Sequence, residues 1–466
     1  MKIHWLVGLR LTGLLIAICL AVSACNKTPS LSPEAARQNR LDWNLKTLVG
    51  AYEDNGDTDA KWDESATNAL TEFARARASV TDADEPVAEI ISTNVAAAVH
   101  AGCDDPMINY LFIKYAMAQT NSKEAFVKAF SKMAKDMNQS GYPPIRKFYA
   151  AARTLDQIFY AYGTNSFRQP VETETMPLLN NSLNATLADK TMPAQEAYEV
   201  ADLILSLMGG GTNFYEQTYH CVEKPLFENW PEADTTWLLK GSAYIHMAWD
   251  ARGNGYADTV SDEAGKLFDE RLATAEDALE HAWKLNPKDL KIPLQMMSVM
   301  LGQGGGRDRM ELWFNRAMEL DPNNYTACHD KLYYLEPKWY GSDEDQLAFG
   351  RECVQSKKWG GQVPLILVDA HVWINARLDK SEQAAYWKRT DVWADIQSAY
   401  DRFFELNPDA IGYYHNYAWY ACHAEQWDKL NALIPKLGPV NYAFFGGRDE
   451  FDKMVQLARQ HTNDPK

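Results

Sequence analysis

The sequence predicts an all-α fold with an internal repeat in its second half. Three observations carry that expectation. Apolar residues recur at three- and four-residue spacing along most of the chain, while the apolar/polar alternation of a half-buried strand is scarce. Short polar or Gly/Pro breaks separate amphipathic segments of helical length. Three segments of the second half end alike, in Leu285-Asn286-Pro287, Leu320-Asp321-Pro322 and Leu406-Asn407-Pro408. An average strand content of about 20–25% is therefore not expected here.

The first element is an export signal. Lys2 and Arg10 give a basic start, and Leu11 to Val22 is an apolar run broken only by Thr12 and Gly13. The run is too short to cross a hydrocarbon core of about 30 Å comfortably. A short apolar run after basic residues, ending in small ones, marks a cleaved signal. Val22-Ser23-Ala24 before Cys25 resemble the lipobox of bacterial lipoproteins. That resemblance implies cleavage after residue 24, diacylglycerol on the Cys25 sulfur, and palmitate-type acyl chains holding the protein to a membrane. One chain binds only marginally and two or three bind durably. The rival reading is an ordinary secretory signal with a chance cysteine. Asn26 is not the Asp that resembles an inner-membrane retention signal, so an outer membrane is favoured where the cell has two. The face on which the protein sits stays open. Residues 25–42, polar and proline-containing at their start, are expected as lipidated cysteine and tether.

Residues 43–230 form a helical N-terminal region. The periodicity predicts helices over 62–79, 87–102, 106–119, 122–137, 145–163, 171–189, 193–208 and 212–224. Asp104-Asp105-Pro106 is a strong start, because aspartate caps free N–H groups and proline is tolerated in the first turn.

Residues 231–466 carry the repeat. Before each Leu-Asn/Asp-Pro end lies an apolar helix face. The first holds Phe268, Leu272, Ala275, Leu279 and Ala282; the second Met310, Phe314 and Ala317; the third Ile396, Tyr400 and Phe403. Proline cannot continue a helix, so it fixes where one stops. Pro287 and Pro322 are 35 residues apart. The pattern resembles the tetratricopeptide repeat, a helix–turn–helix unit of about 34 residues. Ala275, Leu279, Ala282 and Pro287 match its second-helix positions, and Trp237, Gly241 and Tyr244 its first. Trp237 precedes Pro287 by 50 residues, where that pattern has about 28, so an insertion of about 22 residues near 250–270 is expected. Tyr414, Tyr417 and Ala418, then Trp427 and Leu430, fit loosely. The resemblance covers about 237–437 and implies an array of helix hairpins, a tetratricopeptide-like α-solenoid with irregular insertions. The stretches Ala248 to Ala257 and Pro337 to Ser342 resemble an uncharacterised bacterial family of repeat-like helical proteins, which implies a shared fold and no activity.

Composition excludes several partners. The net charge is −17, and residues 1–24 carry two basic and no acidic side chains, so their removal takes it to −19. Such a chain does not suit the nucleic-acid backbone or flat adsorption to anionic lipid. The 15 tryptophans and 23 tyrosines serve either helix packing or a groove that stacks on sugars or grips a peptide. After Cys19 and Cys25, five cysteines remain: Cys103, Cys221, Cys328, Cys353 and Cys422. Their pairing stays open. Cys328 and Cys353, at comparable heights on one expected hairpin, are one candidate pair, and an odd number leaves at least one thiol unpaired.

Few residues promise chemistry. Gly302-Gln303-Gly304-Gly305-Gly306-Arg307 lacks the Lys-Ser/Thr of a phosphate loop and reads as a turn. Gly209-Gly210-Gly211 reads as a helix stop. Asp250 to Ser261 is a poor calcium loop, since Arg252 and Ser261 occupy ligand positions. The acidic run Glu53, Asp54, Asn55, Asp57 and Asp59 reads as a solvated turn. Glu64-Ser65 resembles the Glu-Ser pair of lytic transglycosylases but lacks their Gly-Leu-Met-Gln continuation, and supplies acid to a helix start more simply. His415 and His423 are expected as core or edge residues. No cofactor, metal set or catalytic residue is assigned. The candidate binding set is Trp249, Arg252 and Tyr256 with Trp339 and Tyr340: aromatics, one forked cation and glycines in two loops. The same residues suit a plug that packs onto the array.

The expected function is a membrane-tethered envelope scaffold that binds a protein or peptide, by analogy with the concave surfaces of stacked hairpins. A glycan-binding outer-membrane lipoprotein is one alternative. It resembles the starch-binding lipoproteins, but their Glu-Gly…Arg…Asp-Leu…Arg-Trp signature has no match. A cell-wall-acting enzyme is the other. It requires a cleft holding a carboxyl of raised pKa, and no residue is named for it.

Overall fold

The computed structural model describes residues 32–79, 85–117, 122–163, 169–208, 212–255 and 259–461. Cys25, Tyr256 and the Gly209-Gly210-Gly211 stop lie outside the described residues. The described residues form α-helices joined by short turns, with 3-10 and π segments and no strand among them. The first half runs α1 (Pro33–Leu45), α2 (Ala51–Asn55), α3 (Asp63–Ala78), α4 (Glu85–Ala101), α5 (Pro106–Phe112), α6 (Lys123–Gln139), α7 (Pro144–Tyr162), α8 (Gln169–Leu187), α9 (Ala194–Met208) and α10 (Thr212–Asn229). The second half runs α11 (Asp234–Arg252), α12 (Asp262–Leu285), α13 (Lys291–Gln303), α14 (Arg307–Leu320), α15 (Tyr325–Tyr334), α16 (Asp343–Gln355) and α17 (Ile366–Arg377). Then follow α18 (Lys380–Trp387), α19 (Thr390–Leu406), α20 (Tyr414–His423), α21 (Trp427–Leu433) and α22 (Arg448–His461).

Consecutive helices pair as hairpins, most extensively α11 with α12. Alternate helices also touch: α7 meets α9, α9 meets α11, and the series continues through α13 and α15 to α17. The result is a helical array with one layer made by every second helix. A single apolar core follows that layer from Trp43 to Ala370. A second core gathers Leu70, Phe73, Ile91 and Ile108 near the N-terminus, and a third gathers Ile396, Tyr400, Phe403 and Leu430 near the C-terminus.

Local sequence explains the helix ends. Asp105 Oδ1 accepts from the backbone N–H groups of Met107 and Ile108 at 2.8 and 3.1 Å, with Pro106 opening α5. The three repeat faces are buried as expected: Leu272, Ala275, Leu279 and Ala282 on α12, Met310, Phe314 and Ala317 on α14, and Ile396, Tyr400 and Phe403 on α19. The residue before two of the three prolines also links neighbours. Asn286 Nδ2 donates to Asp234 Oδ2 at 2.7 Å, and Asn407 Nδ2 to the Gly361 carbonyl at 2.8 Å. Gly241 lets α11 approach α12, because a Cβ there would lie 2.4 Å from Leu279 Cγ.

Three features differ from the sequence reading. The expected tether over 25–42 overlaps a helix, since α1 begins at Pro33 with the Ser32 hydroxyl accepting from the Ala35 N–H at 3.2 Å. The expected insertion near 250–270 lies largely in helix: α11 has 19 residues and α12 has 24, so the extra chain lengthens one hairpin. The long gap between Pro322 and Pro408 is filled by α15 to α19, with α18 as an extra short helix.

α1 is held by a buried ionic clamp. Glu196, in the first turn of α9, is fully buried, and its Oε1 accepts from Arg40 Nε at 2.7 Å and Asn44 Nδ2 at 2.9 Å. Its Oε2 pairs with Arg77 of α3, while Glu199 pairs with both arginines at 2.5 and 2.7 Å. Arg146 of α7 donates to Asn44 Oδ1 and Thr47 Oγ1 at 2.7 and 2.6 Å. Burial pushes the Glu196 carboxyl up, but the guanidiniums of Arg77, Arg40 and Arg146 outweigh it and hold the pKa at about 2. Three helices, α1, α3 and α9, therefore meet on one carboxylate, and α7 joins them through Asn44.

Candidate functional site

The two candidate loops meet. Trp249, on the last turns of α11, contacts Phe268 of α12 at 5.0 Å between ring centroids and Trp339 at 6.0 Å, with the indoles at 88° to each other. Arg252 lies 5.7 Å from the Trp249 ring, and its Nη1 donates to the carbonyls of Gly253 and Gly255 at 3.2 and 3.1 Å. Its charge thus sits on the C-terminal end of α11, where a cation suits the helix dipole. Gly253, at φ +72°, ends that helix.

Trp339 and Tyr340 follow α15 in a turn that needs glycine. A Cβ on Gly341 would stand 2.3 Å from the Leu335 carbonyl oxygen. The Tyr340 hydroxyl donates to the Leu301 carbonyl at 3.0 Å, and a Cβ on Gly304 would meet that hydroxyl at 2.8 Å. Tyr340 thereby ties the loop to the end of α13 and is still 41% exposed. The indole N–H of Trp339 is buried without a hydrogen-bond partner. Tyr340 is bound down as a plug would be.

The structure extends this cluster with residues that the sequence reading did not select. Trp339 meets Tyr333 at 6.0 Å, Tyr333 meets Trp373 at 6.1 Å, and Trp373 meets His329 at 4.9 Å. His329 reaches Tyr325 at 6.0 Å, and the Tyr325 hydroxyl donates to Asp369. Tyr325, His329 and Tyr333 recur every four residues on α15, and Asp369 and Trp373 do so on α17, so each set shares a helix face. That spacing was the signal available in the sequence. Burial raises the pKa of Asp330, with His329 opposing it. Burial also raises that of Asp369, with the Tyr325 hydrogen bond and His329 opposing it.

The remaining candidates are placed as follows. Cys103, Cys221, Cys328, Cys353 and Cys422 are free thiols, with Cys103, Cys328 and Cys353 buried. Gly304 to Gly306 make the turn from α13 to α14, with Gly304 and Gly306 at positive φ, while Gly302, Gln303 and Arg307 lie on the two helices. His415 is buried and accepts the Asn441 backbone N–H at 3.2 Å, while His423 stacks on Trp419 at 3.7 Å. Among the described residues no group of three or more His, Cys, Asp or Glu side chains could hold a metal ion. No described helix is long and apolar enough to cross a membrane. Compared with known proteins, the chain matches no family model, and a search of curated proteins finds no match. Fold and surface chemistry therefore define the class: an all-α array of stacked hairpins with an aromatic run across alternate helices.

Proposed function

We propose that this protein is a lipid-anchored helical-repeat scaffold of the bacterial envelope that binds a protein or peptide along the layer made by α11, α13, α15 and α17. One observation carries the reading: the aromatic run from Trp249 through Trp339, Tyr333, Trp373 and His329 to Tyr325 crosses from hairpin to hairpin on that layer. Aromatic side chains give large contact area at low entropic cost, and they recur as anchors at interfaces. The half-buried Asp330 and Asp369, within a strongly acidic chain, favour a segment that carries basic as well as apolar residues.

The anchor rests on Val22-Ser23-Ala24-Cys25. With α1 beginning at Pro33, the seven residues 26–32 reach at most about 25 Å, which holds the body close to the bilayer surface. Glycan binding is served less well. A sugar needs a free ring face, and the rings at 88°, 85° and 82° meet each other edge to face.

The test is photocrosslinking in cells. A photoreactive residue replaces Tyr340, whose ring lies 6.4 Å from that of Trp339 beside the run, or, as control, Leu312 on α14, which is 48% exposed. A discrete adduct from position 340, absent from position 312 and lost on Tyr333→Ala, supports the scaffold. No adduct, or the same adducts from both positions, overturns it.

A further inference from the structure

The strongest unassigned feature lies far from the aromatic run, in the N-terminal half. α6 and α7 border a cleft of about 590 Å³, within the range that suits a small-molecule ligand. Its charged lining is Lys114, Lys123 and Arg153 against a single acid, Asp156, in a chain whose net charge is −17. Its apolar lining includes Phe126, Phe130 and Tyr160. Tyr160 is 75% exposed, a large aromatic left at the cleft mouth. Lys123 stands 5.0 Å from its ring.

A second, smaller cavity of about 20 Å³ adjoins the cleft and shares Tyr110, Lys114 and Arg153 with it. That volume holds about one water molecule. Arg77 and Arg146 line it, and each leaves its Nε–H buried with no hydrogen-bond partner. Arg146 is 2% exposed. Their Nη2 atoms are engaged elsewhere, that of Arg77 with Glu196 and Glu199 and that of Arg146 with Asn44 and Thr47. Both Nε–H groups stay unmatched within residues that line the cavity, and an unmatched buried donor is costly unless water or a ligand satisfies it. Lys114 sits on a π-helical turn, Ile113–Met117, a distortion that recurs at functional sites.

We propose that this cleft binds a small organic anion. Its carboxylate or phosphate group lies between Lys114 and Arg153 at the entrance to the inner cavity, and its apolar or aromatic body lies against Phe126, Phe130 and Tyr160. The field of Arg77 and Arg146 behind the entrance supports the negative charge, and a water in the inner cavity carries their hydrogen bonds to it. This site is independent of the scaffold reading and stands or falls separately.

Isothermal titration calorimetry of the purified full chain tests it with three probes: 1-naphthyl phosphate, 1-naphthoate and neutral 1-naphthol. At least one anion binds, and naphthol binds at least about tenfold more weakly. Added salt weakens the anion and leaves naphthol unchanged. Arg153→Met and Lys114→Met each lower anion affinity about tenfold. Lys123→Met, an exposed substitution that does not threaten folding, lowers it by a smaller factor. Three results overturn the proposal: naphthol binding as tightly as the anions, no anion binding up to about 10 mM, or affinities unchanged in the folded variants.

Discussion

Glu196→Gln is the most informative perturbation of the fold. The carboxylate is fully buried and takes hydrogen bonds or ion pairs from Arg40, Asn44 and Arg77, which belong to α1 and α3. The amide keeps the shape and one acceptor but removes the charge, leaving Arg40 and Arg77 with Glu199 alone. The wild-type pKa is lowered from 4.5 to about 2, and a shift of that size corresponds to about 3 kcal/mol of native-state stability. The sign follows from a depressed folded pKa. The contribution is complete above the unfolded value near 4.5 and is lost as pH falls towards about 2. At pH 3, about 1 kcal/mol of it remains. Because the described residues form three apolar cores, one global midpoint would blur the effect, and native-state hydrogen exchange resolves it. At pH 7, amides of α1 and α9 should lose protection by about a hundredfold in the variant, while amides of α19 and α20 stay unchanged. A loss below about tenfold at α1, or an equal loss at α19, refutes the clamp as the device that holds α1.

Cys25→Ala should abolish incorporation of radiolabelled palmitate, and retained label would refute the anchor. Gly241→Ala places a Cβ 2.4 Å from Leu279 Cγ and should cost about 1–3 kcal/mol by thermal unfolding, with Leu279→Ala recovering part of it. At Asp395, burial raises the carboxyl pKa, but hydrogen bonds from His371 and Arg351 outweigh this and hold it below the usual range. Asp395→Asn should therefore lower the protection of α17 and α19 at neutral pH, by an amount that shrinks on acidification below about pH 4; a pH-independent loss would refute the ionic account.

Most of the helical skeleton was legible because each element carries its own period. The expected helix over 145–163 falls on Pro144–Tyr162, and that over 193–208 on Ala194–Met208. The repeat was legible because proline stops helices whatever surrounds it, and the residues assigned to its inner faces are buried. α1 was missed because Pro33 after a polar stretch resembles a linker, although proline in a first turn equally opens a helix. What locks α1 has no local period at all: Arg40 and Glu196 are 156 residues apart, and Arg77 and Glu196 are 119 apart. The aromatic run was half legible. Trp249 and Trp339 were selected for the composition of their stretches, although Trp249 proves to lie on α11, whereas Tyr325, His329 and Tyr333 read as one more amphipathic face until α17 brings Trp373 and Asp369 against them.

Net charge misleads in a specific way here. A strongly acidic total argues soundly against a nucleic-acid surface, but it averages an exterior with an interior of different character. Arg40, Arg146 and Lys331 are each buried, and the Lys331 ammonium lies 4.2 Å from both the Phe314 and Phe349 rings while pairing with Glu311 at 2.8 Å. In the clamp three cations, Arg40, Arg77 and Arg146, face two acids, Glu196 and Glu199, so the cluster keeps a net positive charge in surroundings of low dielectric. The α6–α7 cleft opens beside Arg77 and Arg146, and three further cations line its own walls. On the proposal above, a total of −17 sharpens the contrast: the general surface repels small anions at long range, where salt screens the effect, and the cleft is where cations gather.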